Sequence, residues 1–179
     1  NMGSSITYYY LIVEPGTYMY HCHVEATEHM QMGMLGNLFV RPKQNRLSNN
    51  TVLAGGFIHK NGQKYAYNGG DGSTRYDVEV PVQITSMDPE FHDASESVQP
   101  LGFAAMSDRY PLLNGRGYPD TINPAPLPAP MKNMGVISQP VSAFVVAKKG
   151  QRILLRLSNL TVTRFFTLGT TGVPLRVIG

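Results

Sequence analysis

The stretch PGTYMYHCHVEATEHMQMGMLGNLFV, residues 15–40, decides how this chain is interpreted. Residues 17–23 carry the aromatic and β-branched side chains typical of a strand, and residues 34–40 predict another strand. The polar residues 24–33 between them predict a loop that ends in a glycine. The sequence therefore predicts two strands joined by a loop, and this stretch also concentrates the side chains that could bind a metal.

The single cysteine of the chain, Cys22, lies between His21 and His23. Neighbouring side chains on a strand point to opposite faces, so the two histidines share one face and the cysteine takes the other. One tripeptide can therefore serve two metal sites. His29 and Met34 follow, and a thiolate, an imidazole and a weak thioether are three of the four ligands of a blue-copper site. The alternative interpretation is a buried cysteine beside two structural histidines.

The composition favours an all-β chain. Among 179 residues there are 18 Gly, 13 Pro and 10 Tyr, and short apolar stretches alternate with turn residues. The formal net charge is only +3 and the basic residues are scattered, which argues against a nucleic-acid-binding surface. No apolar run approaches the roughly eighteen residues that span a membrane. One cysteine excludes an internal disulfide.

Further strands are predicted on both sides of the opening stretch. Residues 6–13 (ITYYYLIV) are β-prone throughout, and residues 76–87 place alternate apolar side chains on one face. That face is formed by Val78, Val80, Val82 and Ile84. The other predicted strands are a short one near Leu112 and the segments 141–147, 151–158, 163–168 and 173–178, with a turn at Lys149-Gly150.

The intervening segments are predicted to be irregular. Asn61-Gly62 lies between two β-prone runs and predicts a two-residue hairpin turn. Residues 88–135 are expected to be mostly loop, with a proline-rich extended segment at 123–131 lying over the surface. The expected organisation is a copper-binding unit at 1–42, a linker with a hairpin at 43–75, and a second unit at 76–179. Both ends of the chain look cut.

The segment GTYMYHCHVEATEHMQMGMLG, residues 16–36, resembles the signature of the multicopper oxidases, which are built from cupredoxin domains. Two later segments, residues 110–121 and 148–179, resemble the start of another cupredoxin domain. The resemblance implies an all-β, cupredoxin-like Greek-key β-sandwich. In this chain it would be one partial domain followed by a second incomplete one.

The resemblance also implies roles for the metal-ligand residues. Cys22, His29 and Met34 match the type 1 copper ligands, and His21 and His23 match type 3 ligands of a trinuclear cluster of type 2 and type 3 copper. The spacing from Cys22 to His29 is longer than the commonest family pattern. Two other methionines compete for the axial position, but Met34 is preferred because it begins the next strand. Those rivals, expected to fill gaps in the core, are Met30 and Met32.

The function implied is one-electron oxidation of a phenol or a metal ion at the type 1 copper, coupled to four-electron reduction of dioxygen to water at the cluster. The chain contains no further His-x-His pair, so the missing ligands would come from the remainder of the polypeptide or from neighbouring subunits. The fragment alone is expected to be inactive. The resemblance further implies a periplasmic, cell-surface or secreted protein, and among subgroups it fits bacterial metal-oxidising members.

Other functions are compatible with the same residues. The main alternative is a single-copper electron-transfer or structural cupredoxin without oxygen chemistry. A copper nitrite reductase is disfavoured because its type 1 cysteine normally has one flanking histidine, and an assembly scaffold is a third class.

The sequence also allows predictions for two sites outside residues 15–40. His59 beside the hairpin turn is expected to be solvated. The segment SMDPEFHDASE, residues 86–96, is interpreted as a solvated acidic loop, with a site for a hard cation as the alternative. Its candidate ligands are Asp88, Glu90, His92, Asp93 and Glu96.

Overall fold

The computed structural model describes residues 3–97 and 102–179. Within them the seven strands are β1 (Gly16–His21), β2 (Leu35–Val40), β3 (Lys64–Tyr65), β4 (Arg75–Tyr76), β5 (Val78–Met87), β6 (Tyr110–Leu113) and β7 (Ile153–Asn159). The two α-helices are α1 (Ala26–Gln31) and α2 (Pro89–Ser95). Short 3₁₀ helices lie at Lys43–Arg46, Ala54–Gly56, Phe103–Ala105, Asp120–Ile122 and Met131–Asn133. The all-β prediction is confirmed, since the helices are short and the strands form three open sheets.

The strands pair in a simple pattern. β1 and β2 form an antiparallel pair, and β3 and β4 form a second, very short one. The third sheet has the order β6-β5-β7, in which β5 is antiparallel to β6 and parallel to β7. None of the helices in the described residues is long and apolar enough to cross a membrane.

The hairpin of β1 and β2 agrees with the prediction from the opening stretch. Its register runs from Gly16 opposite Val40 to His21 opposite Leu35. The predicted loop between the strands is wrong in one respect, because it contains α1. A helix of six residues is far below the length that is stable alone in water, so tertiary contacts must hold α1 in place.

The strands of the central sheet were also predicted. β5 coincides with the period-two segment, and Val80 and Val82 on its apolar face are buried. β6 is the short strand expected near Leu112, and β7 corresponds to the predicted strand 151–158. The turn before β7 is confirmed, with Gly150 at a φ of 88° that favours glycine.

The hairpin packs against the central sheet through a charged contact. Arg156 of β7 is 3% exposed, and its Nε donates to Glu79 Oε1 of β5 at 2.6 Å. The same guanidinium donates to Thr17 Oγ1 of β1 at 3.2 Å and lies 5.2 Å from the ring centre of Phe39 of β2. Arg41, directly after β2, donates to Glu79 Oε2 at 2.6 Å. These five residues, the ion-pair cluster, join the hairpin to β5 and β7.

Four predicted strands are wrong. Residues 6–13, 141–147, 163–168 and 173–178 form no strand, although their sequences are β-prone. Tyr9 and Leu11 are each 92% exposed, which shows how little the first of these segments is packed. β-propensity reflects packing on a pleated surface, so a segment that finds no neighbouring strand does not become one.

The region around Asn61-Gly62 is only partly as predicted. The turn is present, with Gln63 N donating to Lys60 O at 3.0 Å, but the predicted hairpin is wrong because β3 pairs with β4 instead. The prediction for His59 is also wrong. This side chain is 1% exposed, and its Nδ1 lies 2.9 Å from the buried hydroxyl of Tyr65.

The acidic segment 86–96 is not a solvated loop, because it contains α2. The buried Asp88 is the N-cap and accepts hydrogen bonds from Glu90 N and Phe91 N, and Pro89 begins the helix. Phe91 is buried and packs in a small apolar cluster with Met106. The acidic side chains are thus divided between a buried cap and an exposed surface.

The proline-rich segment 123–131 is irregular and largely exposed, as predicted. Its beginning is held by Arg116, a buried side chain whose guanidinium donates to the carbonyl oxygens of Asn123 and Gln139. This segment therefore begins at a buried arginine and continues without forming a strand.

Candidate metal centre

The thiol of Cys22 and the imidazole of His29 are in direct contact. Cys22 comes directly after β1 and His29 lies in α1, and Cys22 Sγ is 3.0 Å from His29 Nδ1. The hydrogen bond from His29 lowers the pKa of the Cys22 thiol below its ordinary value. The same contact raises the pKa of His29. The arrangement favours a thiolate, the form of cysteine that binds metals.

Met34 lies beside this pair in the strand register. Cys22 N donates to Met34 O at 3.1 Å, which continues the pairing of β1 and β2 by one residue. Residues directly opposite each other in an antiparallel pair project to the same face. Met34 N also donates to His29 O at 2.9 Å, so backbone hydrogen bonds link all three residues. The Met34 side chain is 53% exposed.

His21 and His23 lie together rather than apart. Their ring centres are 5.9 Å apart and the ring planes differ by 26°. Both side chains are exposed, and His21 Nδ1 is 2.8 Å from the carbonyl oxygen of Cys22. The structure therefore brings the five residues singled out in the sequence into two groups, the pair of imidazoles and the group of Cys22, His29 and Met34.

The two rival methionines lie at the end of α1. Met32 is the C-cap residue, and Met30 accepts a hydrogen bond from Gly33 N through its carbonyl oxygen. In the strand register the residue opposite Cys22 is Met34, and neither Met30 nor Met32 occupies that position.

The donor chemistry of the two groups fits copper. A thiolate with an imidazole and a thioether is a soft, mixed sulfur and nitrogen set, and paired imidazoles also suit copper. Among residues 3–97 and 102–179, no three His, Cys, Asp or Glu side chains converge into one metal-binding cluster. In the described residues the candidate donors thus form two separate pairs, Cys22 with His29 and His21 with His23.

A buried polar cluster anchors the loop that carries His29. Gln31, the last residue of α1, is 7% exposed, and its Nε2 donates to Asp108 Oδ1 at 2.5 Å. Its Oε1 accepts from Asp88 N at 3.2 Å and lies 3.3 Å from His92 Nε2. Sequence reasoning missed this role of Gln31. Its partners are 57–77 residues away, so no local pattern reveals them.

The two aspartates of this cluster are themselves held by several donors. Asp108 Oδ2 accepts from the hydroxyl of Ser86 and from Thr163 N. Asp88 accepts from Ser107 N at 2.7 Å, and this bond, with those from the start of α2, outweighs burial and lowers the pKa of Asp88. A local signal for part of the cluster exists, since Asp followed by Pro and Glu is typical of a helix N-terminus.

Comparison with known proteins agrees with the metal-binding chemistry of the side chains around β1, α1 and β2. The model of a family described as multicopper oxidase matches residues 1–44. No curated protein and no solved structure matches the chain. The match supports the multicopper oxidase family over that stretch, and with it an oxidoreductase that binds copper. The mainly strand architecture with open sheets is consistent with an all-β, cupredoxin-like fold.

Proposed function

We propose that this chain carries part of the copper machinery of a multicopper oxidase. Cys22, His29 and Met34 would hold a type 1 copper, and His21 and His23 would belong to a trinuclear type 2/type 3 cluster completed by residues outside the chain. The observation that carries the proposal is the 3.0 Å approach of Cys22 Sγ to His29 Nδ1. Residues 1–42 would then be the end of a copper-binding domain, 43–75 a linker, and 76–179 the start of a second cupredoxin domain.

The bound copper would supply one-electron oxidation of a reducing substrate and four-electron reduction of dioxygen to water. The first contribution of the chain's own residues to metal binding is the release of a proton. In the metal-free protein the hydrogen bond between Cys22 Sγ and His29 Nδ1 holds a proton between the two donor atoms, and this proton must leave when a metal binds. The lowered pKa of the thiol and the raised pKa of His29 favour a thiolate beside an imidazolium, so the proton to be lost is the one on His29.

The peptide chain itself connects the two groups of ligands. His21 and His23 are the covalent neighbours of Cys22, so an electron passing through the Cys22 sulfur would have a short bonded route to either imidazole. Both imidazoles are exposed, which suits ligands whose partners come from another segment or subunit. The reducing substrate would be a phenol or a metal ion, as in bacterial metal-oxidising members, and the protein would act in the periplasm, at the cell surface or as a secreted enzyme.

Substitution of Cys22 tests the proposal most directly. In the complete protein, Cys22→Ser should abolish the intense visible absorption of the copper–thiolate bond and the oxidase activity, because the hydroxyl cannot replace the thiolate. Met34→Leu should keep both and raise the reduction potential. Met32→Leu is the matched control and should change neither property. Intense visible absorption that survives in Cys22→Ser would refute the ligand assignment.

A single-copper electron carrier is the second candidate function, favoured by the direct contact of Cys22 Sγ with His29 Nδ1, which requires no partner from a trinuclear cluster. A copper count on the complete protein separates the two functions. Four copper ions per functional unit support the oxidase, whereas one supports the carrier.

A further inference from the structure

We infer that Gln31 is a positioning residue, which fixes the loop carrying His29 and Met34 by tying α1 to the buried cluster around Asp108. The inference rests on the proposed function for the identity of the metal ligands. Its physical content, that one amide side chain orders the loop, can be tested without metal.

The position of Gln31 in the chain allows it to control the conformation of the loop that carries the proposed ligands. It lies two residues after His29 and three before Met34, and it is the buried residue of α1. α1 has no side-chain cap at its N-terminus, where Glu25 adopts a left-handed conformation with φ of 53°. A six-residue helix without a cap does not order itself, so its conformation depends on tertiary contacts, and Gln31 makes the buried ones.

The contacts of Gln31 use both ends of the amide. The Nε2 group donates to Asp108 Oδ1 and lies 4.0 Å from Met106 Sδ, and Oε1 accepts from Asp88 N. Because this amide has distinct donor and acceptor ends, the cluster fixes its direction as well as its position. Asp108 is held in turn by Ser86 and Thr163, so it is a fixed point of attachment.

A matched control exists in the segment 43–75. Gln44 is 6% exposed, donates through Nε2 to Asp71 O at 2.6 Å and accepts from Gly70 N at 2.9 Å through Oε1. It thus resembles Gln31 in residue type, burial and hydrogen bonding, but it holds a different part of the chain.

Amide hydrogen exchange of the metal-free, full chain provides the first test. Gln31→Leu should accelerate exchange of the loop amides of His29, Met32 and Met34 about tenfold or more, because it leaves buried polar partners unsatisfied. Gln44→Leu should leave these amides unchanged and accelerate exchange at Ala54 N, which is bonded to Gly70 O. Equal exchange of the loop amides in wild type and Gln31→Leu, or equal acceleration by both variants, would overturn the inference.

A reciprocal exchange of donor and acceptor covers the case in which Gln31→Leu does not fold. Gln31→Glu places two acceptors against each other and should accelerate loop exchange. Adding Asp108→Asn restores a donor–acceptor pair of opposite direction with the same total charge, and should return the loop amides to near wild-type protection. A double variant as unprotected as Gln31→Glu alone would contradict the positioning role.

Metal titration gives a second readout and separates the two proposals. In the complete protein, with cobalt(II) and copper(II) as probes, Gln31→Leu should bind about tenfold more weakly than wild type and Gln44→Leu should bind equally well. A complete wild-type protein that binds neither metal, while its loop protection depends on Gln31, would refute the proposed function and support the positioning role. Normal metal affinity in Gln31→Leu would overturn the positioning role alone.

Discussion

The hairpin of β1 and β2 is attached to the rest of the molecule at two ends by different chemistry. At the end away from Cys22, the ion-pair cluster places Arg156 against Glu79 and Thr17. At the end that carries the candidate ligands, the attachment is the neutral amide of Gln31 on Asp108 and Asp88 N. One end is joined by opposite charges and the other by directed hydrogen bonds from an uncharged side chain.

This difference separates two tasks. A buried ion pair is costly to break, since the remaining charge is left without a partner, and it therefore holds the hairpin on the sheet. An amide fixes direction without adding a further charge to the loop, where Glu25 and Glu28 already act on His29. The hairpin is fixed at one end and oriented at the other.

The largest effect is expected at the charged end. Glu79→Leu leaves the buried Arg156 without its carboxylate, and the free energy of unfolding should fall by about 3–5 kcal/mol in chemical denaturation. Arg156 Nη2 makes no hydrogen bond to any described residue, so this guanidinium depends strongly on Glu79. The control is Glu90→Leu, which breaks an exposed pair with Arg109 at 2.7 Å and should cost about 1 kcal/mol or less. Equal losses in both variants would remove the distinction between the two ends.

Acidification should weaken both ends together. Burial raises the pKa of Glu79, but the hydrogen bonds of Arg41 and Arg156 outweigh it and hold that pKa below its usual value. The pKa of Asp88 is lowered by its backbone donors, Ser107 N first. Carboxyls with lowered pKa values contribute stability that is complete above their unfolded-state pKa and is lost as the pH falls through the folded-state value. Unfolding free energy should therefore be steady near neutrality and fall below about pH 4–5.

Repeating the pH series on Glu79→Leu measures how much of this loss of stability is due to Glu79. Glu79→Leu lacks one of the two carboxyls, so its stability should depend less steeply on pH in the acid range than that of wild type. An identical slope would mean that Glu79 is not protonated differently in the folded and unfolded states.

The smallest effect is expected at Thr17. Thr17→Val removes one hydrogen bond at 3.2 Å from Arg156 while Glu79 and the ring of Phe39 remain, so stability should fall by only about 1 kcal/mol. The thermal midpoint is a sufficient measurement. A loss as large as that of Glu79→Leu would show that the hydroxyl, rather than the carboxylate, holds the guanidinium in place.

The parts of the fold that were predictable are those whose partners lie nearby in sequence. β1 and β2 are joined by the thirteen residues 22–34 and share one register, so the pattern of residues 16–40 determines both. Residues 6–13 have an equally β-prone sequence, but a strand needs a neighbour, and the sequence of one segment does not show whether a neighbour exists. The segments 163–168 and 173–178 failed as strands for the same reason.

The residues of the candidate site also divide into those that the sequence could predict and those that it could not. Cys22, His29 and Met34 could be selected because their chemistry and spacing are visible within thirteen residues. Gln31 and Asp108 could not, because an ordinary glutamine and an ordinary aspartate become a pair only when the fold brings together positions 77 residues apart. His59 was misjudged because burial beside Tyr65 depends on how the segment 43–75 closes on itself.

The order of residues along the chain determines when each attachment of the hairpin can form. A ribosome releases Cys22 and His29 well before Asp108, and Arg156 follows Thr17 by 139 residues. The donor atoms of the loop are therefore available to a metal before either anchor has been synthesised. Until β7 has joined β5, the thiol of Cys22 therefore lies in a hairpin that Arg156 does not yet hold on the sheet.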